Sequence, residues 1–257
     1  MYRKLTFGSS LLRAVFAGLV SLAMPCFAIS ERPPPPIEYA YPDQSVWTTK
    51  TDAEGVLDNP LLHFAESVFS KMQIAWTAKP YPANRMFERL QVGKSNFSIL
   101  VRADRLKESC IFSKTPVAFT ELKVFRRSGS LPVTKIEGLR GKKVITIRGY
   151  SYGKIGKYLQ DTANGITVFE ALRHDSAFEM LKYGRAEYLL NYTGPSEEIL
   201  ADNPISGVSE AVLARLDVFL VLSKTYPNAQ KTMDALERVA QNTDIGQWGL
   251  NSPAPSH

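Results

Sequence analysis

The chain has 257 residues, of which 44% are hydrophobic and 22% charged. These are the proportions of an ordinary soluble body, and they exclude a disordered polyelectrolyte or a chain built of membrane spans. The formal charge is +6, but Arg3, Lys4 and Arg13 supply three cations before residue 29, leaving +3 for the rest and little support for nucleic-acid binding.

Residues 1–28 combine a basic start, an apolar run over residues 14–24 and the small residue Ala28. That is the three-part pattern of a secretory signal cleaved after Ala28, which places the mature protein in the periplasm. The apolar run falls short of the roughly 20 residues needed to span a bilayer. Cys26 follows Met24 and Pro25 rather than small residues, which argues against lipid attachment. The mature chain keeps one cysteine, Cys110, so no internal disulfide is available. With Ile111 and Phe112 beside it, Cys110 reads as a buried apolar residue.

Residues 29–36, ending in Pro33–Pro36, form a stiff Pro-rich leader. "IEYAY" (37–41) is a first strand and "DAEG" (52–55) a turn. Apolar residues at helical spacing predict a helix over 60–72, followed by a strand over 73–79, a helix over 82–92 and the strand "FSILV" (97–101). The alternation then resumes, with a strand at 142–147, a helix at 151–161 and a strand at 166–170. A helix over 176–182 follows, with Ser176 and Glu179 at capping-box spacing. Strands at 186–191 and 215–224 and a helix at 228–241 complete the series. Such alternation argues for an α/β fold with mixed, mostly parallel sheets.

One short unit is spelled twice, 91 residues apart (178 − 87), as "FERLQVGKSNF" at 87–97 and "FEMLKYGRAEY" at 178–188. Phe and Leu three apart place one helix face on a sheet. Gly93 or Gly184 stops the helix, Lys94 or Arg185 meets the negative end of its dipole, and an aromatic opens the next strand. Any helix–Gly–strand corner converges on this spelling; two lobes of similar build would each carry it once.

The ordered segments resemble the type II periplasmic solute-binding proteins, in particular the amino-acid-binding family 3 receptors of ABC importers. The resemblance is carried by "DAEG", "NRMFERLQVGKSNFSILV", "RADRLKESCIFSKTPVAF", "IEGLRGKKVITIRGYSYG", "SAFEMLKYGRAEYLLN" and "VLSKTYPNAQKTMDALERV", in family order over nearly all of residues 37–248. It implies two α/β lobes joined by two hinge crossings, with the ligand between them. Lobe 1 would comprise residues 37–118 and 216–248, lobe 2 residues 119–215, and residues 249–257 a C-terminal tail. Hinges would fall near residues 119–123 and 215–218. The implied protein is a monomer that captures a small carboxylate-bearing ligand, an amino acid or a relative, for uptake through an ABC-transporter membrane subunit. No cofactor, metal or nucleic acid is implied.

The resemblance also implies a site. Arg105 matches the family arginine that grips the ligand carboxylate, a task suited to a planar guanidinium. The loop after "FSILV" is shorter than usual by about two residues, so Arg102 is the alternative; a solvated basic loop is the plainer reading of both. Gly149, Tyr150 and Ser151 form the turn that would hold the carboxylate from lobe 2, although Ser151 also reads as a simple N-cap. Lys154 follows Gly153 without P-loop spacing. Trp47 falls where the family keeps an aromatic wall, and Tyr39, Tyr41, Tyr81 and Tyr152 are further wall candidates. Asn191 and Tyr192 stand where relatives carry an aspartate for the ligand's ammonium. A phenol cannot be that counter-ion. Either the ligand lacks an α-ammonium or the receptor has diverged from transport. Glu197 and Glu198 could compensate, but more simply begin a surface helix.

Two other classes compete: a sensory or partner-binding module on the same fold, and an enzyme resembling cyclohexadienyl dehydratase. Such an enzyme wants an acid or base in the cleft. His63, His174 and His257 all read as lying away from it, and neither a nucleophile triad nor metal-ligand spacing is present, so no catalytic residue is assigned.

Overall fold

A computed structural model describes residues 34–251. The signal-like segment, the start of the Pro-rich leader and the final residues lie outside them. Strands β1 (Ile37–Pro42), β2 (Trp76–Tyr81), β3 (Phe97–Val101) and β4 (Cys110–Phe112) come first, with helices α1 (Pro60–Lys71) and α2 (Ala83–Gln91) between them. After β5 (Ala118–Arg127) come β6 (Lys143–Ile147), α3 (Lys154–Gln160), β7 (Thr167–Ala171), α4 (His174–Lys182) and β8 (Tyr188–Tyr192). The chain closes with α5 (Thr193–Asp202), β9 (Val208–Ser223) and α6 (Ala229–Gln241).

Strand order is β2-β1-β3-β9-β5-β8-β6-β7, with β4 also on β9. The parallel pairings are confined to the two flanks, β2-β1-β3 and β8-β6-β7. Each flank is a β-α-β-α-β unit with its first strand in the middle. Between them β5 and β9 run antiparallel, Ala118 opposite Val218 through Arg127 opposite Val208, with an irregularity at Leu122/Lys123. This is a two-lobed α/β fold, and β5 and β9 are its two crossings. The apolar core is divided accordingly. One set of clusters joins Phe64, Phe69, Phe97 and Leu220, with Leu90 and Val221 on the opposite face. The other set joins Leu122, Val144 and Tyr188, with Phe125, Phe178 and Leu189 opposite. A fully buried side chain of this size contributes about 1.5–3 kcal/mol.

The doubled unit occupies equivalent places, ending α2 before β3 and ending α4 before β8. Gly93 and Gly184 have φ of 71° and 72°. Gly93 N donates to Leu90 O and Lys94 N to Arg89 O; Gly184 N donates to Leu181 O and Arg185 N to Met180 O. Left-handed glycines here satisfy the last helical carbonyls.

Several boundaries differ from the sequence reading, each for a local reason. Gln73 takes a left-handed φ of 53° and Ile74 N returns to Phe69 O, so β2 starts at Trp76. Positive φ at Tyr152 and Gly153 delays α3 to Lys154. Ser176 sits one turn inside α4, where its Oγ accepts from Arg173 N at 3.1 Å, so the cap lies at Arg173. The long strands β5 and β9 exceed what their sequences announce because each borrows regularity from the other.

Glu38 ties β1 to β2, to α2 and to the corner before β3. It accepts from Ser95 Oγ at 2.5 Å, Arg89 Nη2 at 2.8 Å and Tyr81 Oη at 3.1 Å, and pairs with Lys79 at 3.2 Å. Burial alone would raise its carboxyl, but the bonds from Ser95, Arg89, Lys79 and Tyr81 outweigh it and hold the pKa at about 2. A depressed folded pKa gives stability that is present above the unfolded value of 4.5 and lost as pH falls toward 2. Glu38→Gln should cost about 2 kcal/mol at pH 7. Urea midpoints for wild type and variant should converge as pH is lowered toward 3; an unchanged gap would refute the ionic origin of the effect.

Candidate functional site

The carboxyl ends of β1 and β3 face those of β6 and β8, at the points where strand order reverses in each lobe. The segment after β1 supplies Gln44, Ser45 and Trp47; the segment after β3 supplies Arg102 and Arg105. The turn after β6 supplies Gly149, Tyr150 and Ser151, and β8 ends in Asn191 and Tyr192. The fold brings Trp47, Arg102, Arg105, Gly149, Tyr150, Ser151 and Tyr192 to the spaces between the lobes, whereas Asn191 is fully buried and lines none of them.

The lobes touch at both mouths. At one, Tyr150 Oη donates to Gln44 O at 2.6 Å, Gln44 Nε2 to Leu172 O at 2.5 Å, and His174 N to Gln44 Oε1 at 3.1 Å. Glu198, far from being an idle surface residue, accepts from Thr48 Oγ1 at 2.8 Å, Thr49 N at 2.5 Å and Thr49 Oγ1 at 2.8 Å. Glu197 turns instead to Lys123, 3.3 Å away. At the other mouth Arg105 lies 3.6 Å from the Phe87 ring centre, and its Nη2 donates to Gly149 O at 3.1 Å. Lys157 pairs there with Asp104. Between the lobes, the Trp47 carbonyl stands so close to Gly194 that a Cβ there would overlap it.

Three spaces follow. A central cavity of about 60 Å³ is walled by Tyr39, Trp47, Phe87, Tyr150 and Tyr192, among others. Among the described residues lining it, none is Asp, Glu, Lys, Arg or His. A groove of about 650 Å³ opens on one side and carries Arg102, Arg105, Lys154, Lys157 and Arg215, with Asp104, Glu170 and Asp217. A third space of about 570 Å³ opens on the other side, past Asp43, Gln44, Thr48 and His174.

Arg102 and Arg105 thus lie at the rim rather than inside. Arg102 donates to Ser113 O at 2.9 Å and lies 4.1 Å from the Phe219 ring centre. Tyr152 and Tyr192 stack within 8° at 5.8 Å, and Tyr150 lies 5.7 Å from Tyr192. Burial pushes all three phenols above their ordinary range, so they stay neutral. Of the other wall candidates, Tyr39 lines the central cavity, Tyr41 lines the third space, and Tyr81 binds Glu38 outside the cleft.

His174 was misplaced by the sequence reading. It is buried at the cleft, with Nδ1 2.6 Å from Asn191 Oδ1. Because that oxygen only accepts, Nδ1 carries the proton. A signal existed: the repeat offset sets His174 against Ala83, which lines the central cavity. Among the described residues, no group of three or more His, Cys, Asp or Glu converges as a metal site, and no helix is long and apolar enough to cross a membrane.

Together, lobes, crossings and cleft define the fold of the type II periplasmic binding proteins. A histidine kinase sensor domain with similarity to periplasmic binding proteins superposes with a TM-score of 0.69 at 16% identity, covering 86% of this chain and 99% of that one. An ancestral arginine-binding protein bound to arginine gives 0.65 at 18%, covering 83% and 95%. The substrate-binding protein of an amino acid ABC transporter gives 0.62 at 15%, covering 83% and 94%. No family profile matches the chain, and neither does any curated protein.

Gly194→Ala should keep the lobes apart. Alanine suits the helical backbone there, and the nearest atoms its Cβ would meet are the Trp47 backbone across the cleft. Small-angle scattering should show a larger radius of gyration with unchanged circular dichroism; a profile identical to wild type would show that the contact does not limit closure.

Burial lowers the His174 pKa from 6.5 to about 4, against the opposing Asn191 bond. The unfolded chain binds the proton more tightly, so stability is full above 6.5 and falls as pH drops toward 4. The loss should amount to about 2 kcal/mol. Melting curves across that range should be flatter in His174→Gln.

Proposed function

We propose that the protein is a periplasmic solute-binding protein that captures a small carboxylate-bearing ligand between its lobes. The carrying observation is the cationic groove formed by Arg102 and Arg105 opposite the Gly149–Ser151 turn, adjoining the small central cavity. Lobe 1 comprises residues 37–118 and 216–248, lobe 2 residues 119–215, and the lobes hinge near residues 119–123 and 215–218. Arg105 is the carboxylate anchor: it already reaches across to the lobe 2 turn, and a ligand oxygen between the two would use the same fork. Arg102 donates to Ser113 O within its own lobe and does not reach the lobe 2 turn. Closure excludes water and strengthens those bonds.

Amino-acid-binding relatives in fold favour delivery to an ABC importer. The likeness to a sensor domain supports a second reading, in which the same closure is transmitted to a signalling partner. Binding assays on the purified importer and on a candidate kinase would separate the two. An enzymatic reading gains nothing from the buried, neutral His174, whose Nδ1 is committed to Asn191.

Arg105→Ala should weaken an anionic ligand by about 1.5–3 kcal/mol, the range for hydrogen bonds to charged groups. Arg105→Lys should recover only part of that, since an ammonium cannot fork. Calorimetry against a carboxylate panel provides the measurement. Wild-type affinity in Arg105→Ala together with a loss in Arg102→Ala would move the anchor to Arg102; no loss in either would remove the carboxylate from this groove.

A further inference from the structure

The cationic groove holds more positive charge than its own acids neutralise. Each of its acids is already paired: Asp104 with Lys157, Asp217 with Arg215 at 3.7 Å, and Glu170 with Arg148 at 3.3 Å. That leaves Arg102, Arg105 and Lys154, which line the groove with no ion-pair partner among the described residues. Desolvation lowers the Arg105 guanidinium from its ordinary value, and Glu88 opposes this only at longer range. Arg105 uses Nη1 on Asn84 Oδ1 at 3.2 Å and Nη2 on Gly149 O at 3.1 Å. A guanidinium carries five N–H groups, so donors remain for a ligand.

These cations reach one stretch of groove from both lobes. Lys157 of α3 meets Asp104, the chain neighbour of Arg105. Lys154 lies three residues before Lys157 in the same helix, and residues so spaced share a helix face. A Cβ on Gly153, beside Lys154, would stand 3.5 Å from Val101 Cγ1 and 3.9 Å from Leu216 Cδ2. The start of α3 therefore packs against the end of β3, next to Arg102, and against β9. A single carboxylate would neutralise only one of the three unpaired cations. An ammonium in the groove would find no unpaired acid, and Tyr192, at the central cavity, is a neutral phenol.

From this charge balance, and resting on the solute-binding reading above, we infer that the ligand is a dicarboxylate without an ammonium, held by Arg105 at one end and Lys154 at the other. Arg102 adds to the field between them. Lys154 is the specificity-determining residue, because it separates a dianion from a monoanion. The groove, at about 650 Å³, has room for a short carbon chain between the two carboxylates. Both ends lie in a groove open to water, so salt screens their attraction and weakens binding.

Succinate, glutarate and adipate are the probes, with pentanoate lacking the second carboxylate, glutamate adding an ammonium to glutarate, and arginine representing cationic amino acids. By calorimetry at low ionic strength, the best dicarboxylate should bind about tenfold tighter than pentanoate or glutamate, the effect of one more charge-assisted contact. Lys154→Gln should remove most of that margin. Lys143→Gln makes the same change of charge outside the groove and should leave the margin in place; equal losses in the two variants would reduce the effect to net charge and overturn the inference. A dicarboxylate no tighter than pentanoate overturns it as well. Binding of glutamate or arginine as tight as that of any dicarboxylate overturns it and leaves the solute-binding reading intact. Silence from all six compounds, in calorimetry and in thermal shift, counts against both.

Discussion

The antiparallel pairing of β5 with β9 is the constraint on which everything else depends. Its ten-residue register, from Ala118 opposite Val218 to Arg127 opposite Val208, carries the chain out of one lobe and back into it. The crossing is reinforced where it is irregular. Lys123, at the bulge, is only 8% exposed and is held by Glu210 at 2.8 Å and Glu197 at 3.3 Å. Beside it Arg215 lies 3.5 Å from the Phe119 ring centre. Relative motion of the lobes would have to bend this ribbon, and Val218, Leu216 and Arg215 on the ribbon also line the cleft spaces. Crossing and floor are therefore one piece of backbone.

Around that floor the charges are sorted by cost. Ionised groups stand at the mouths, where water still solvates them, as in Lys157 with Asp104 or Glu198 with Thr48 and Thr49. The interior holds neutral aromatic rings, because an uncompensated ion there would be expensive. The lobes are thus held together by rim hydrogen bonds and the Trp47–Gly194 contact, with uncharged side chains between them.

What was legible in the sequence came from local chemistry. Helix-ending glycines, the spacing of Phe and Leu and the β-branched strand runs fixed the two flanks, and the doubled unit at Phe87 and Phe178 pointed to two copies of one architecture, because such signals act within one helical turn. Where reading failed, the cause was a neighbour distant in sequence. The full lengths of β5 and β9 come from their pairing, and the left-handed turn at Tyr152 from a fold in which its hydroxyl accepts from Ile147 N at 2.7 Å.

The sequence by itself determined the α/β class, the repeated corner, the set of residues at the strand ends and the lack of a carboxylate at Tyr192. Only the tertiary structure decided which of them meet. Arg105 reaches Gly149 across 44 residues, Glu198 reaches Thr48 across 150, and His174 is drawn beside Asn191. The physical reason is that a cleft belongs to neither lobe. Each lobe's residues obey their own local periodicity, and the distances between lobes are set by how the crossing ribbon folds one surface onto the other.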